Sequence, residues 1–295
     1  MDLCNIATVR RLMEKYGIAA KKGYGQNFLI NTAVPSDIAE ESYAYHVSRG
    51  GKTGSVLEIG PGIGCLTCEL AERYERVCAV EIDRGLIPLL GESLADYSNV
   101  EVVNTDFMKL DLPTFLSEHF PDGKISVCAN LPYYITTPIL MKLIEEGDDR
   151  FDSITIMVQD EVATRLAAEA GTADYGAVTA SVRYYGDCQK LFKVAPGNFL
   201  PAPKVTSAVV RIELYDQPPY DCKDVAMLHR VITAAFGMRR KTLVNALMAS
   251  FSDLGKERIT EILGELGMDA SIRGERLSTE EFCKLANAFY EERRK

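Results

Sequence analysis

Val56-Leu57-Glu58-Ile59-Gly60-Pro61-Gly62-Ile63-Gly64 is the stretch from which the fold can be read. Its first four residues are an apolar run interrupted by one carboxylate, the pattern of a strand buried on both faces of a parallel sheet. The glycines that follow make a turn at which backbone can approach a nucleotide closely. An amphipathic helix then runs to about Tyr74. Strand, glycine turn and helix in that order open a doubly wound α/β sheet, but a lone glycine pattern is weak evidence and its flanks have to agree.

They do agree downstream. A second strand, Val77 to Val80, ends in Glu81, 21 residues beyond Gly60. An acid at that distance suits a ribose hydroxyl pair; a solvated surface glutamate is the competing reading. A third strand, Val100 to Val103, ends at Asn104-Thr105-Asp106, where a carboxylate suits the amino edge of an adenine. A fourth, Ile125 to Ala129, delivers Asn130-Leu131-Pro132-Tyr133-Tyr134. Thr136-Thr137-Pro138 after it reads as a helix start, with hydroxyls to cap it and proline in the first turn. An amide, a rigid proline and an aromatic ring thus sit at a strand's carboxyl end, where open sheets bind ligands. The bland alternative is a polar loop that turns the chain. Ile154 to Val158 and Glu161 to Ala168 add a fifth strand and helix, so the pattern predicts a mostly parallel sheet.

A helix from about Ala177 to Tyr184 precedes two more strands, Lys190 to Val194 and Ala208 to Ile212. Their connection contains Phe199-Leu200-Pro201-Ala202-Pro203-Lys204, which holds Phe199 and Lys204 at low entropic cost or is simply a rigid loop. Upstream, a helical segment Ile6 to Tyr16 leads into Lys21-Lys22-Gly23-Tyr24-Gly25-Gln26-Asn27-Phe28-Leu29. This is either a loop that closes on a ligand or an arm packed on the domain. Gln217-Pro218-Pro219-Tyr220 reads as a linker dividing a domain at 1–215 from a helical one at 216–295. Four helical patterns follow it, near 224–237, 241–250, 256–267 and 278–293, the last opening with Ser278 and Glu281 at capping-box spacing. Arg239-Arg240-Lys241, between the first two, contacts phosphates or is a solvated helix end.

The totals are those of a globular protein: 295 residues, 47% hydrophobic and 25% charged. No apolar run reaches the length of a membrane span and no signal peptide opens the chain, so a cytoplasmic protein is expected. Eight scattered cysteines fit buried thiols in a reducing compartment. Cys65 and Cys68 form a CxxC, yet neither a second pair nor the histidines complete a zinc pattern, and no metal is expected. The net charge of −9 speaks against nucleic acid, but it is unevenly spread. Residues 1–30 carry five basic side chains against two acidic, and 216–295 carry thirteen of each. The acid excess therefore lies in between, and both ends can still offer a basic face.

Taken together, Gly25-Gln26-Asn27-Phe28-Leu29, Leu57 to Gly62, Glu81-Ile82-Asp83, Asp106, Asn130-Leu131-Pro132-Tyr133 and Phe199 to Val205 resemble the rRNA adenine dimethyltransferases, across nearly the whole chain and in the same order. The resemblance implies a Rossmann-like class I methyltransferase sheet with a small all-α C-terminal domain. It implies S-adenosylmethionine as methyl donor and 16S rRNA, in the 30S subunit or its precursor, as partner. Two neighbouring adenosines near the 3′ end would be dimethylated by a monomeric, metal-free enzyme of ribosome biogenesis. Asn-Leu-Pro-Tyr and the basic tail from Arg239 look like the small-subunit branch; the 23S rRNA resistance methylases more often carry isoleucine at the Leu131 position. By the same resemblance, Asn27 and Leu29 close over the donor, Gly60 and Gly62 approach it, Glu81 and Asp106 hold its ribose and adenine, and Asn130 borders it as well as the target base. Phe199 then covers the target base, and Lys204, Arg239, Arg240 and Lys241 meet the RNA.

The residues support that chemistry independently. An adenine amine is a poor nucleophile because its lone pair is delocalised into the ring. Asn130 and the Leu131 carbonyl can accept its two hydrogens and favour the pyramidal, reactive form. Pro132 holds the backbone and Tyr133 can stack on the ring. The target base must leave its stack to reach such a site. A nicotinamide dehydrogenase would leave Asn130 to Tyr133 unexplained, and a non-catalytic assembly factor would not need that turn.

Overall fold

The computed structural model describes residues 1–18, 26–50, 54–147 and 149–294. Lys21 to Gly25, the lysine and glycine half of the expected closing loop, lies outside the described residues. The chain forms two compact units, Met1–Ala163 with Cys188–Asp216 and Thr164–Asp187 with Gln217–Lys295.

The first unit holds strands β1 (Phe28–Leu29), β2 (Ser55–Ile59), β3 (Arg76–Glu81), β4 (Val100–Asn104), β5 (Ile125–Asn130), β6 (Phe151–Gln159), β7 (Gly186–Val194), β8 (Phe199–Leu200) and β9 (Ser207–Leu214). Seven of them form one sheet in the order β4-β3-β2-β5-β6-β9-β7. Neighbours from β4 through β6 run parallel and β9 runs antiparallel to β6. The central strands are nearly continuous apolar runs because helices cover both faces. Strand order reverses at β2, with β3 on one side and β5 on the other; that reversal opens a crevice at the strands' carboxyl ends.

Helices α1 (Ile6–Lys15), α2 (Ala33–Ser48), α3 (Cys65–Ala71), α4 (Ile87–Ser93), α5 (Leu112–His119), α6 (Thr136–Glu146) and α7 (Asp160–Leu166) accompany the strands. Val34 and Ile38 of α2 and Leu66 and Leu70 of α3 pack on Val56, Val77 and Met157, which anchors the glycine turn to the sheet. β1 and β8 form a separate two-stranded antiparallel ribbon.

The second unit is helical: α8 (Ala177–Tyr185), α9 (Val225–Gly237), α10 (Leu243–Met248), α11 (Gly255–Glu265) and α12 (Thr279–Glu292). Leu228, Val231, Leu247, Phe282 and Phe289 form its core. Ser278 and Glu281 close the expected capping box: the Ser278 hydroxyl accepts from the Glu281 N–H at 3.2 Å, and Glu281 accepts from the Ser278 N–H at 2.8 Å. The boundary differs from the sequence expectation in one respect. Residues 164–187, assigned by sequence to the first domain, belong to the helical unit, where Ala180 and Tyr184 of α8 join its core. No described helix is long and apolar enough to cross a membrane.

Candidate active site: a cleft at the reversal of the sheet

The glycine turn needs its glycines. Gly60, Gly62 and Gly64 have φ of +73°, +61° and +96°, the left-handed region that other residues enter only with strain. The Gly60 N–H donates to Val80 O at 2.9 Å, and the Gly62 N–H donates to Glu81 Oε2 at 3.3 Å. The Asp83 N–H donates to the other oxygen, Glu81 Oε1, at 2.7 Å. Glu81 is 4% exposed, and burial raises its pKa against the pull of these donors.

Beside it lies Glu58, 1% exposed, with its carboxyl pushed up to about 8 by burial. The Thr67 hydroxyl opposes that shift from outside ordinary hydrogen-bond geometry, and Glu58 Oε2 has no hydrogen-bond partner among the described residues. Glu58 was not singled out as a site residue from sequence. Its signal was there, a carboxylate inside an apolar strand, which is costly unless something in the site uses it.

Asn130 ends β5, and Leu131 behind it is buried. The Pro132 carbonyl points into the next helix, accepting from the Ile135 N–H at 3.1 Å and the Thr136 hydroxyl at 3.3 Å. Thr136 therefore bonds back to the turn, and α6 has no side-chain cap where one was expected. The Tyr133 hydroxyl lies 2.6 Å from Ser207 Oγ on β9.

One cleft brings together Asn27, Leu29, Gly60, Gly62, Glu81, Asn130, Leu131, Pro132 and Tyr133, with Glu58 added. Asp106 is not among its lining residues: Asp106 Oδ1 accepts from the Met108 N–H at 3.0 Å and caps a short 3-10 turn.

Phe199 lies outside that lining. Leu29 pairs with Phe199 and Phe28 with Leu200 across the β1–β8 ribbon. The Ile30 N–H donates to Asn198 O at 2.9 Å, extending that pairing. The ribbon turns the Phe199 ring inward among Leu29, Val34, Met157 and Val209, leaving it 3% exposed. Lys204 is exposed on the loop beyond.

In the helical unit, Arg239 is half-exposed but engaged: its guanidinium donates to Ala173 O at 2.8 Å and Tyr175 O at 3.2 Å, and lies 3.5 Å from Glu275. Arg240 and Lys241 are exposed.

The thiols of the CxxC are held protonated. Cys65 donates to Leu3 O at 3.2 Å, and burial pushes Cys68 up to about 11. Elsewhere, Cys78, Glu101 and His119 offer ligand atoms within 4.8 Å of one another. Arg76 already holds Glu101 at 3.2 Å, and burial pushes the Cys78 thiol up to about 12, so an ion pair over a buried thiol accounts for the group.

Residues 17–291 match the family described as ribosomal RNA adenine dimethylase. The chain belongs to that family. Among dimethylase relatives, a ribosomal RNA small subunit methyltransferase A from Alkaliphilus oremlandii is 44% identical over 278 residues, 94% of each chain. Of solved structures, a dimethyladenosine transferase from Plasmodium falciparum aligns with TM-score 0.74 at 25% identity, covering 90% of this chain and 98% of its own. The 23S rRNA methyltransferase ErmE aligns with TM-score 0.63 at 25% identity, covering 88% and 98%.

Proposed function

We propose that this protein transfers methyl groups from S-adenosylmethionine to the exocyclic amines of two adjacent adenosines near the 3′ end of 16S rRNA. Its substrate is then the 30S subunit or a precursor of it. One observation carries the reading: in a chain of the rRNA adenine dimethylase family, the Asn130–Tyr133 turn opens into the same cleft as Gly60, Gly62 and Glu81.

The cleft residues fit such a donor. Left-handed glycines offer backbone with no side chain in the way, and the buried Glu58 Oε2 is unpartnered among the described residues. Gly60 and Gly62 would hold the methionine and sugar part and Glu81 the ribose hydroxyls, with Asp106, beyond the lining itself, meeting the adenine amine. Asn27 and Leu29 would close over it. The donor brings a methyl group already activated on a sulfonium.

The chain's own residues then position the acceptor, and positioning with exclusion of water is where most of the rate comes from. Asn130 Oδ1 and the Leu131 carbonyl accept hydrogens of the target amine, and Pro132 keeps that carbonyl aimed. Tyr133 supports the ring. Accepting by two separate groups tolerates the monomethyl product, which has one hydrogen fewer. No general base and no metal is required. Phe199 serves by holding the Leu29 strand, a packing task instead of a stacking one. Lys204, Arg240 and Lys241 are the cations offered to rRNA phosphates. The enzyme acts as a cytoplasmic monomer in ribosome biogenesis.

Methylation of 23S rRNA has less support, because Leu131 and the small-subunit relatives both point to 16S. The test is to incubate the protein with labelled S-adenosylmethionine and, in parallel reactions, unmethylated 30S particles and 23S rRNA, and to locate the modified nucleotides. Two neighbouring dimethyladenosines near the 16S 3′ end are expected; label confined to 23S rRNA, or none, overturns the reading.

A further inference from the structure

We propose that Ser207 is a positioning residue for methyl transfer, whose hydroxyl anchors Tyr133 and thereby fixes the platform under the target adenine. The proposal rests on the acceptor role given above to the Asn130–Tyr133 turn.

Ser207 is the first residue of β9 and is fully buried. Its backbone is held by the sheet: Ser207 pairs with Gln159 of β6, and the Asp160 N–H donates to Thr206 O at 2.9 Å. The next residues, Ala208, Val209 and Val210, are core. A hydroxyl among them is costly to bury unless it is hydrogen-bonded, and the Tyr133 hydroxyl at 2.6 Å is its partner. Tyr133, which lines the cleft, lies 74 residues earlier in the chain.

A tyrosine ring has two side-chain torsions. Pro132 stiffens the backbone at its root, and Ser207 fixes its tip, so the ring is held at both ends. Tyr134, one residue on, shows the contrast: its ring also borders the cleft but is 62% exposed. Two aromatic residues in succession thus have different tasks, one fixed and one facing solvent. The anchor also ties the Asn130–Tyr133 turn to β9, the strand into which the Phe199–Lys204 loop runs directly. A base resting on Tyr133 is therefore placed relative to the same strand that carries the loop pairing with Leu29. Small displacements of a reacting group cost rate even when binding is kept, which makes this a kcat device.

The experiment compares Ser207→Ala, Tyr133→Phe, the double variant and Ser207→Thr with wild type on unmethylated 30S particles, measuring kcat, KM for donor and RNA, and Tm. Each single variant should lower kcat about 3- to 10-fold, the worth of one net hydrogen bond, with KM for the donor unchanged. The double variant should be no slower than the slower single, and Ser207→Thr should recover most of the loss. Wild-type kcat in Ser207→Ala, or losses that multiply in the double variant, overturns the anchor. Should Ser207→Ala fail to fold, Tyr133→Phe removes the same bond from the other side and decides alone. Asn130→Ala and Tyr133→Ala separate the two levels. If both retain turnover, the acceptor reading fails; if they lose it while Ser207→Ala and Tyr133→Phe match wild type, only the anchor fails.

Discussion

The Gly62 N–H donates to the Glu81 carboxylate at 3.3 Å, so the glycine turn and the acid at the end of the neighbouring strand hold each other in place. Asp83 donates to the second oxygen, and each oxygen keeps a lone pair for a ligand. Glu81→Gln keeps the shape but sets an amide NH₂ against one of the two backbone donors. We expect donor affinity to fall about tenfold or more, the order of a charge-assisted hydrogen bond, measured by calorimetry with S-adenosylmethionine. Unchanged affinity would remove Glu81 from the donor site.

Glu58 gives a pH signature. Its carboxyl titrates near 8 in the fold, well above the ordinary value of 4.5 in the open chain, because burial disfavours the charge. The folded state thus keeps a proton that the unfolded state has lost. The contribution is fully present below pH 4.5 and is lost as pH rises through 8. Urea unfolding of wild type should weaken across that window relative to Glu58→Gln, by at most about 1.4 kcal/mol per pH unit. Parallel pH profiles for the two proteins would count against a neutral Glu58.

Phe199 can be assigned by size alone. Phe199→Leu preserves apolar packing against Leu29 and Met157 but removes the aromatic face. Turnover should stay within about threefold of wild type, while Phe199→Ala should cost about 3–5 kcal/mol in unfolding experiments. A large loss of turnover in a stable Phe199→Leu protein would restore the stacking role.

The basic segment divides in two. Arg240→Ala with Lys241→Ala should weaken rRNA binding and lower the slope of log K against log salt by up to about 1.5, one phosphate contact each. Arg239→Ala should act on the fold, lowering stability by roughly 0.5–1.5 kcal/mol through loss of its bonds to Ala173 and Tyr175. An unchanged salt slope in the double variant would return those two cations to a solvated helix end.

Asn130→Ala should abolish methyl transfer and leave donor binding nearly intact, because Asn130 is assigned to the acceptor side. Single-turnover label transfer and donor calorimetry on the same sample check both halves, and turnover near wild type would end the proposed role.

What could be read ahead of the structure follows the physics of local signals. The Gly60–Gly64 turn was legible because positive φ selects glycine, and β2, β5 and β6 because doubly covered strands are written as apolar runs. The β1–β8 ribbon was not: two residues carry no periodicity, and their pairing spans some 170 positions. The burial of Phe199 was hidden for that reason, since its inward turn is set by the ribbon and not by its neighbours in sequence. The Tyr133–Ser207 contact was likewise invisible, a serine before an apolar strand being common. Helix α8 was recognised as a helix, but an amphipathic pattern does not say which core its apolar face will join.

That last point bears on how the protein can be cut. The helical unit is made of two separated stretches, with β7, β8 and β9 threaded between them. A truncation after residue 216 would not release a clean catalytic half: it would strand α8, with Ala180 and Tyr184 stripped of the core they belong to. During synthesis the same holds in time, because the first unit has all its strands once β9 has emerged, whereas α8 waits for the chain's last helices. Dissecting this enzyme therefore calls for excising 164–187 as well, or for leaving it whole.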